Sequence, residues 1–214
     1  MSGQEFNAMS LLIDRRIMLG LAAGGMATAL GAGSAAAAAE TAGAVADLTG
    51  SATASASGSA ERELAVSDPV HIAEMVRTGP GARAVLALGE RTVLRLGAAT
   101  QVKLERYVVD AGGEFTLGSG AILFDRDGPP ADNPLTISSD YGLIVVRGTT
   151  FFAGPSRGVF GVFVETGAVD VTGGGVTVRV AAGEGTNIEV PGAAPTAPVA
   201  WGQARIDEAL ASVQ

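Results

Sequence analysis

The stretch Ile144–Phe152, which reads IVVRGTTFF, decides the predicted fold because it is a run of strand-forming residues interrupted by Gly148. Valine, isoleucine, phenylalanine and threonine fit a pleated, half-buried surface. A glycine inside such a run marks either a bulge with positive φ or a neighbouring backbone that approaches too closely for a Cβ. We therefore predict that this stretch lies at the centre of a β-domain. None of its side chains suggests catalysis.

Strand-like segments continue on both sides of this centre, at intervals of about eight to twelve residues and with no helical periodicity between them. Arg83–Leu88 and Arg91–Leu96 are separated by Gly89-Glu90, which predicts a hairpin with a two-residue loop. Four leucines of this hairpin are expected to share one buried face: Leu86, Leu88, Leu94 and Leu96. A second hairpin is predicted around Gly173–Gly175.

The same alternation predicts which side chains face the core. In the segment 102–109 it places Val102, Leu104, Arg106 and Val108 on one face and Lys103, Glu105, Tyr107 and Val109 on the other. Across the domain, the pattern predicts four buried positions in particular: Leu94, Val102, Phe151 and Val178.

These patterns predict an all-β fold with a single domain of many short strands, arranged as a sandwich or roll or as a solenoid. The Pro/Ala-rich residues 191–198 are predicted to be a stiff linker. Residues 199–214 predict a short amphipathic helix, because four large apolar residues recur at helical spacing: Trp201, Ile206, Leu210 and Val213. Trp201 either packs against the β-domain or belongs to a peptide that binds a partner.

Residues 1–39 have the composition of an export signal. Arg15-Arg16 resembles the bacterial twin-arginine motif and precedes the uncharged, Gly/Ala-rich segment 17–39. The alanine run that ends at Ala39 offers cleavage sites before Glu40, so we predict a periplasmic mature chain. The alternative is an uncleaved membrane anchor, which the weak hydrophobicity of glycine and alanine disfavours.

Charge and cysteine content restrict the classes of partner. The chain has 14 basic and 22 acidic residues, for a net charge of −8, which disfavours nucleic acids and anionic membrane surfaces. Without any cysteine, disulfides and cysteine-ligated metals are excluded.

No residue pattern predicts a catalytic, cofactor or metal site. His71 is the only histidine and is best explained as a strand residue. The segment Asp125–Gly128 opens like a calcium loop, but two prolines follow and no glutamate closes the frame. Gly173–Gly175 lacks the Lys-Ser/Thr of a phosphate-binding loop. The sequence leaves open a pair of catalytic carboxylates like that of a glycosidase. No pattern, however, selects two of the four strand-associated acids, which are Glu105, Glu114, Asp140 and Glu165.

Five segments, in this order, resemble the FecR domain family of bacterial envelope proteins. Met75–Ala84 matches the family's V-R-T-G-x-x-x-R-A segment, and Thr92–Val102 matches the strand pair that follows it. Val146–Phe151 matches its V-x-G-T-x-F centre. Val164–Val171 matches its V-x-x-G-x-V-x-V strand, and Val180–Thr186 matches its closing turn. The resemblance runs from Ala44 to Val190. It therefore assigns residues 40–69, which by composition alone would be a Ser/Ala/Gly linker, to a domain spanning 40–190. The family often has Gly-Asp turns where this chain has Ser67-Asp68 and Ala73-Glu74.

The resemblance implies a function in signalling. Well-known members of the family cross the inner membrane, receive a signal from an outer-membrane transporter, and control a sigma factor through a cytoplasmic N-terminal segment. Here an export signal stands in place of that segment, so we expect no direct contact with a sigma factor. We predict a non-enzymatic periplasmic module without a cofactor that binds an envelope protein in signalling or as a scaffold. The alternative is a domain that binds cell-wall or surface polysaccharide, for which Tyr107 and Tyr141 are the only tyrosines available.

Overall fold

Eighteen strands and one short helix make up the part of the chain that the computed structural model describes, which is residues 40–108, 112–126, 133–146 and 148–214. The predicted export signal and the middle of the acidic loop after Asp125 lie outside these residues. The first nine strands are β1 Thr41–Thr49, β2 Ala52–Ala56, β3 Arg62–Glu63, β4 Pro69–His71, β5 Glu74–Thr78, β6 Arg83–Leu88, β7 Thr92–Leu96, β8 Gln101–Val108 and β9 Gly112–Ser119. The remaining elements are β10 Ile122–Arg126, β11 Leu135–Ser139, β12 Gly142–Val146, β13 Thr150–Ser156, β14 Val159–Thr166, β15 Ala168–Gly173, β16 Val176–Ala181, β17 Glu184–Ile188, β18 Val199–Ala200 and α1 Gln203–Ala211.

The strands form two sheets of nine strands each, and the chain moves along both sheets as it proceeds. Sheet A has the order β18-β17-β14-β13-β10-β7-β6-β1-β4, and sheet B has the order β16-β15-β12-β11-β9-β8-β5-β2-β3. Successive hairpins alternate between the sheets, so the molecule is a sandwich that grows from its N-terminal to its C-terminal end. The all-β prediction with a short C-terminal helix is confirmed. All strand pairs of the described residues are antiparallel except β9 with β11, which lie parallel because β10 between them belongs to the other sheet.

The core lies between the sheets and is built from aliphatic residues and phenylalanine. The leucines of β6 and β7 are fully buried, and so is Phe151. The prediction that these leucines share one face is confirmed, but the predicted two-residue loop is wrong. Leu88 pairs with Thr92, which leaves three residues in the turn. Only this register places Leu86 opposite Leu94, since a two-residue loop would place Leu86 opposite Val93 and separate the leucines onto two faces.

The predicted alternation in β8 holds only as far as Leu104. The register between β8 and β9 shifts between Leu104 and Arg106, so Glu105 is an extra residue at a bulge. A bulge reverses the faces of the residues that follow it. Tyr107 is therefore buried, and Val108, predicted to face the core, is 56% exposed.

The central stretch is a corner between the two sheets. β12 ends at Val146 in sheet B, and β13 begins at Thr150 in sheet A. Gly148 lies between them with φ of 61°, so the explanation by positive φ is right, although the residue turns the chain from one layer to the other. Arg147 is outside the described residues.

Candidate interaction site

The residues considered for catalysis or metal binding are dispersed and have structural partners. His71 lies in β4, with its Nδ1 3.4 Å from the hydroxyl of Thr41. Asp125 accepts a hydrogen bond of 2.8 Å from Thr150, and Asp127-Gly128 lies outside the described residues. Gly174 and Gly175 form the tight turn between β15 and β16, which confirms the predicted hairpin.

The four candidate carboxylates are divided between the two sheets and a turn. Glu105 binds Lys103 at 2.6 Å and Glu114 lies 3.4 Å from Arg106, both in sheet B. Glu165 is at the end of β14 in sheet A, and Asp140 is in the turn between β11 and β12. Among the described residues, no group of three or more acids and histidines could hold a metal ion.

The two tyrosines occupy different environments. Tyr107 is 3% exposed, donates a hydrogen bond of 2.8 Å to the carbonyl of Leu88 and stacks on Phe115, so it cannot serve as a surface platform. Tyr141 is half-buried and stacks on Phe160, with 4.5 Å between ring centroids. It lines a cleft of about 390 Å³ together with residues that include Asp140, Pro155 and Pro191.

Trp201 packs against the β-domain, as the first of its two explanations required. It is 7% exposed, stacks on Phe163 and belongs to an apolar cluster with Leu123 and Phe152 on the outer side of sheet A. The helix is shorter than predicted, because α1 covers only Gln203–Ala211 and Trp201 and Val213 flank it. The C-terminal segment thus covers the outer face of sheet A and is not displayed for a partner.

Among the described strands at the sheet edges, β16 is the longest. It is six residues long and pairs with β15; no other described strand pairs with it. The other sheet edges are β3, β4 and β18, with two, three and two residues. Proteins commonly shorten or cover edge strands, because unpaired N–H and C=O groups invite pairing with another chain.

The tight turn before β16 determines which of its backbone groups are free. In a two-residue hairpin the flanking residues, here Gly173 and Val176, form a hydrogen-bonded pair. The N–H and C=O groups of Val176 and Val178 therefore point towards β15. Those of Thr177 and Arg179 point to the open edge.

Val178 was predicted to be buried and is only half-buried. The reason is its position on this edge: Val171, which pairs with it on β15, is fully buried because it has strands on both sides. In the sequence, β15 and β16 are recognisable only as the last hairpin of the strand series. That position does not show which strand lies at the edge of a sheet.

Residues 74–170 match the model of the family described as FecR protein. This match is narrower than the resemblance found in the sequence, which extends from Ala44 to Val190. No curated protein sequence matches the chain significantly.

Two crystal structures of a "putative anti-sigma factor" from Parabacteroides distasonis ATCC 8503, at 1.65 Å and 2.50 Å resolution, share the fold. Each superposes with a TM-score of 0.53 at 17% identity over 64% of this chain. The chain spans 64% and 63% of the length of those two structures. At 17% identity, the likeness to these two structures is a likeness of fold. The one helix among the described residues, α1, lacks the length and apolar character that a membrane span requires.

Proposed function

We propose that this protein is a non-catalytic module of the bacterial periplasm that binds an envelope protein in signalling or as a scaffold, by accepting a strand from that partner at β16. The observation that carries the proposal is the open edge of β16, a six-residue strand with one described neighbour. Addition of a strand to a sheet edge is a common mode of peptide recognition, in which backbone hydrogen bonds supply affinity.

Two further observations support a regulatory binding role over catalysis. The family match and the fold likeness are to signalling proteins. The candidate carboxylates Glu105 and Glu114 are each neutralised by a neighbouring basic side chain.

Export to the periplasm rests on the Arg15-Arg16 motif, and replacement of both arginines by lysine should leave the precursor in the cytoplasm. Mature periplasmic protein from that double variant would contradict this route.

The test uses a proline at the open edge. Thr177→Pro removes an N–H that faces the edge and leaves the hydrogen bonds to β15 intact, which edge strands tolerate. Thr177→Ala is the matched control, since both variants lose the 2.8 Å hydrogen bond between the hydroxyls of Thr177 and Thr172. The immobilised full chain and its Thr177→Ala variant should retain the same envelope protein from a periplasmic extract, whereas Thr177→Pro should not. A protein retained equally by all three would show that the partner binds elsewhere.

The second candidate function is polysaccharide binding, and the observation that favours it is Tyr141 at its cleft. Its ring is backed by Phe160, and its hydroxyl forms no hydrogen bond with another described residue. Sedimentation of the chain with insoluble peptidoglycan, lost in Tyr141→Ala and retained in Thr177→Pro, would favour this function over strand addition.

A further inference from the structure

β16 exposes an apolar inner side as well as free backbone groups. Val176 is 45% exposed and Val178 is half-buried, although both point towards the space between the sheets. Val180, further along the same strand, is fully buried. The inner side of β16 is therefore partly accessible at Val176 and Val178, while residues 193–195 pack against Gly173, which lies opposite Val176. An added strand would cover these valines only if its own inward-facing residues were apolar, because alternate residues of a strand face the same side.

The outer side of β16 carries one charge. The side chain of Arg179 is 69% exposed, and its contact with Asp170 on β15 is long, at 4.0 Å. Arg179 therefore has room for a second acidic neighbour on its open side. In a β-sheet, residues directly opposite each other share a face, and opposite charges stabilise such a pair.

Resting on the proposed function, we infer that the partner contributes an extended segment in which an acidic residue is flanked on both sides by apolar residues. The acidic residue would lie opposite Arg179 on the outer side. The two flanking residues would lie opposite Val178 and Val180, on the inner side, and an apolar residue two positions beyond would cover Val176. Backbone hydrogen bonds would form with Thr177 and Arg179.

A second copy of this chain fits the site less well. Its own β16 has arginine between two valines, so Arg179 would face Arg179 if the same residues were opposed. In the register that opposes Val178 to its counterpart, Arg179 would face Thr177. Neither register supplies an acidic residue, and the first places like charges together, which is destabilising.

The test compares two synthetic peptides with the sequences Ser-Val-Glu-Val-Thr-Val-Ser and Ser-Val-Lys-Val-Thr-Val-Ser, each carrying a fluorescent label at its N-terminus. The full chain is titrated into each peptide, and binding is followed by the fluorescence anisotropy of the label. We expect the glutamate peptide to bind about fivefold more tightly, the factor that a favourable cross-strand charge pair provides. Arg179→Glu should reverse the order of the two peptides, and Thr177→Pro should abolish binding of both.

The outcomes separate this inference from the proposed function. Equal affinity for the two peptides, together with loss of both in Thr177→Pro, would overturn the acidic motif and leave strand addition standing. Binding that survives Thr177→Pro would overturn both. A monomer is expected in analytical ultracentrifugation; a dimer that Thr177→Pro dissociates would identify a second copy as the occupant and contradict the inference.

Discussion

The guanidinium carbon of Arg205 lies 3.5 Å from the ring centroid of Trp201, so the first turn of α1 covers the indole that precedes it. Arg205 also donates hydrogen bonds to Ser156 at 3.0 Å and to Asn187 at 2.7 Å, which tie the helix to β13 and β17. Burial in this contact lowers the pKa of Arg205 below its usual value, and the nearby charge of Arg157 lowers it further.

The indole rests on two glycines of neighbouring strands. A Cβ on Gly161 would lie 2.8 Å from the Trp201 ring, and one on Gly185 would collide with it. The C-terminal segment is therefore held by a shape match as well as by charge. Trp201→Ala should lower the free energy of unfolding by about 3–5 kcal/mol, the usual cost of removing a buried large aromatic side chain.

Urea unfolding followed by circular dichroism measures this effect. Gly185→Ala should destabilise the same contact with Trp201 still present. Gly118→Ala is the matched control, because Gly118 is also a strand glycine without positive φ and its Cβ would make only ordinary contacts, the nearest at 3.7 Å. Full stability of both Trp201→Ala and Gly185→Ala would show that the segment contributes nothing to folding.

Glu208 should make the attachment of α1 sensitive to acid. Two hydrogen bonds from Arg157, at 2.9 and 3.0 Å, hold the pKa of Glu208 below its usual value. Because the folded-state pKa is lowered, the contribution is present above the pKa of the unfolded chain and is lost as the pH falls through the folded-state pKa. The difference in Tm between wild type and Glu208→Gln should therefore be present at neutral pH and disappear in that acidic range. A difference independent of pH would contradict the charged pair as its cause.

Two turns should gain stability from glycine. Ser67 and Ala73 have φ of 76° and 66°, in the left-handed region that costs an L-residue about 1–2 kcal/mol. In both turns the next residue is acidic and accepts a backbone hydrogen bond of 2.8 Å from three residues earlier, Asp68 from Ala65 and Glu74 from His71. These are the positions where the FecR family often has Gly-Asp.

Ser67→Gly and Ala73→Gly should each raise the free energy of unfolding by roughly 0.5–1 kcal/mol, because relief of strain exceeds the entropic cost of glycine. Both side chains are exposed, so little packing is lost. Ala65→Gly, at an exposed position of the first turn without positive φ, should lower stability instead. Equal losses in all three variants would show that the turns are unstrained.

Gly148 should resist substitution by a β-branched residue. With φ of 61° at the corner between β12 and β13, Gly148→Val should cost about 1–3 kcal/mol through backbone strain. Gly148→Asn should cost less, because asparagine tolerates the left-handed region. The urea midpoints of the two variants provide the measurement, and an unchanged midpoint for valine would make the glycine incidental.

Local alternation was sufficient to predict the strands after Val70 and much of the core, as the buried leucines of β6 and β7 show. Helical spacing also grouped Trp201 with Val213, and both belong to one apolar cluster although they flank α1. The candidate site was not predictable in this way. The sequence shows a strand at 176–180, and whether another strand lies beside it depends on residues far away in the chain.

The sequence by itself determined the all-β class, the positions of the hairpins and the family resemblance, because these follow from side-chain periodicity and turn residues within a few positions. Only the tertiary structure decided the bulge at Glu105, the change of sheet at Gly148 and the open edge at β16. Each of these depends on which strands lie beside one another and in what register, and both are set by packing between distant segments. Tyr107 is buried because of the bulge, and Val178 is half-buried because it lies on the edge strand.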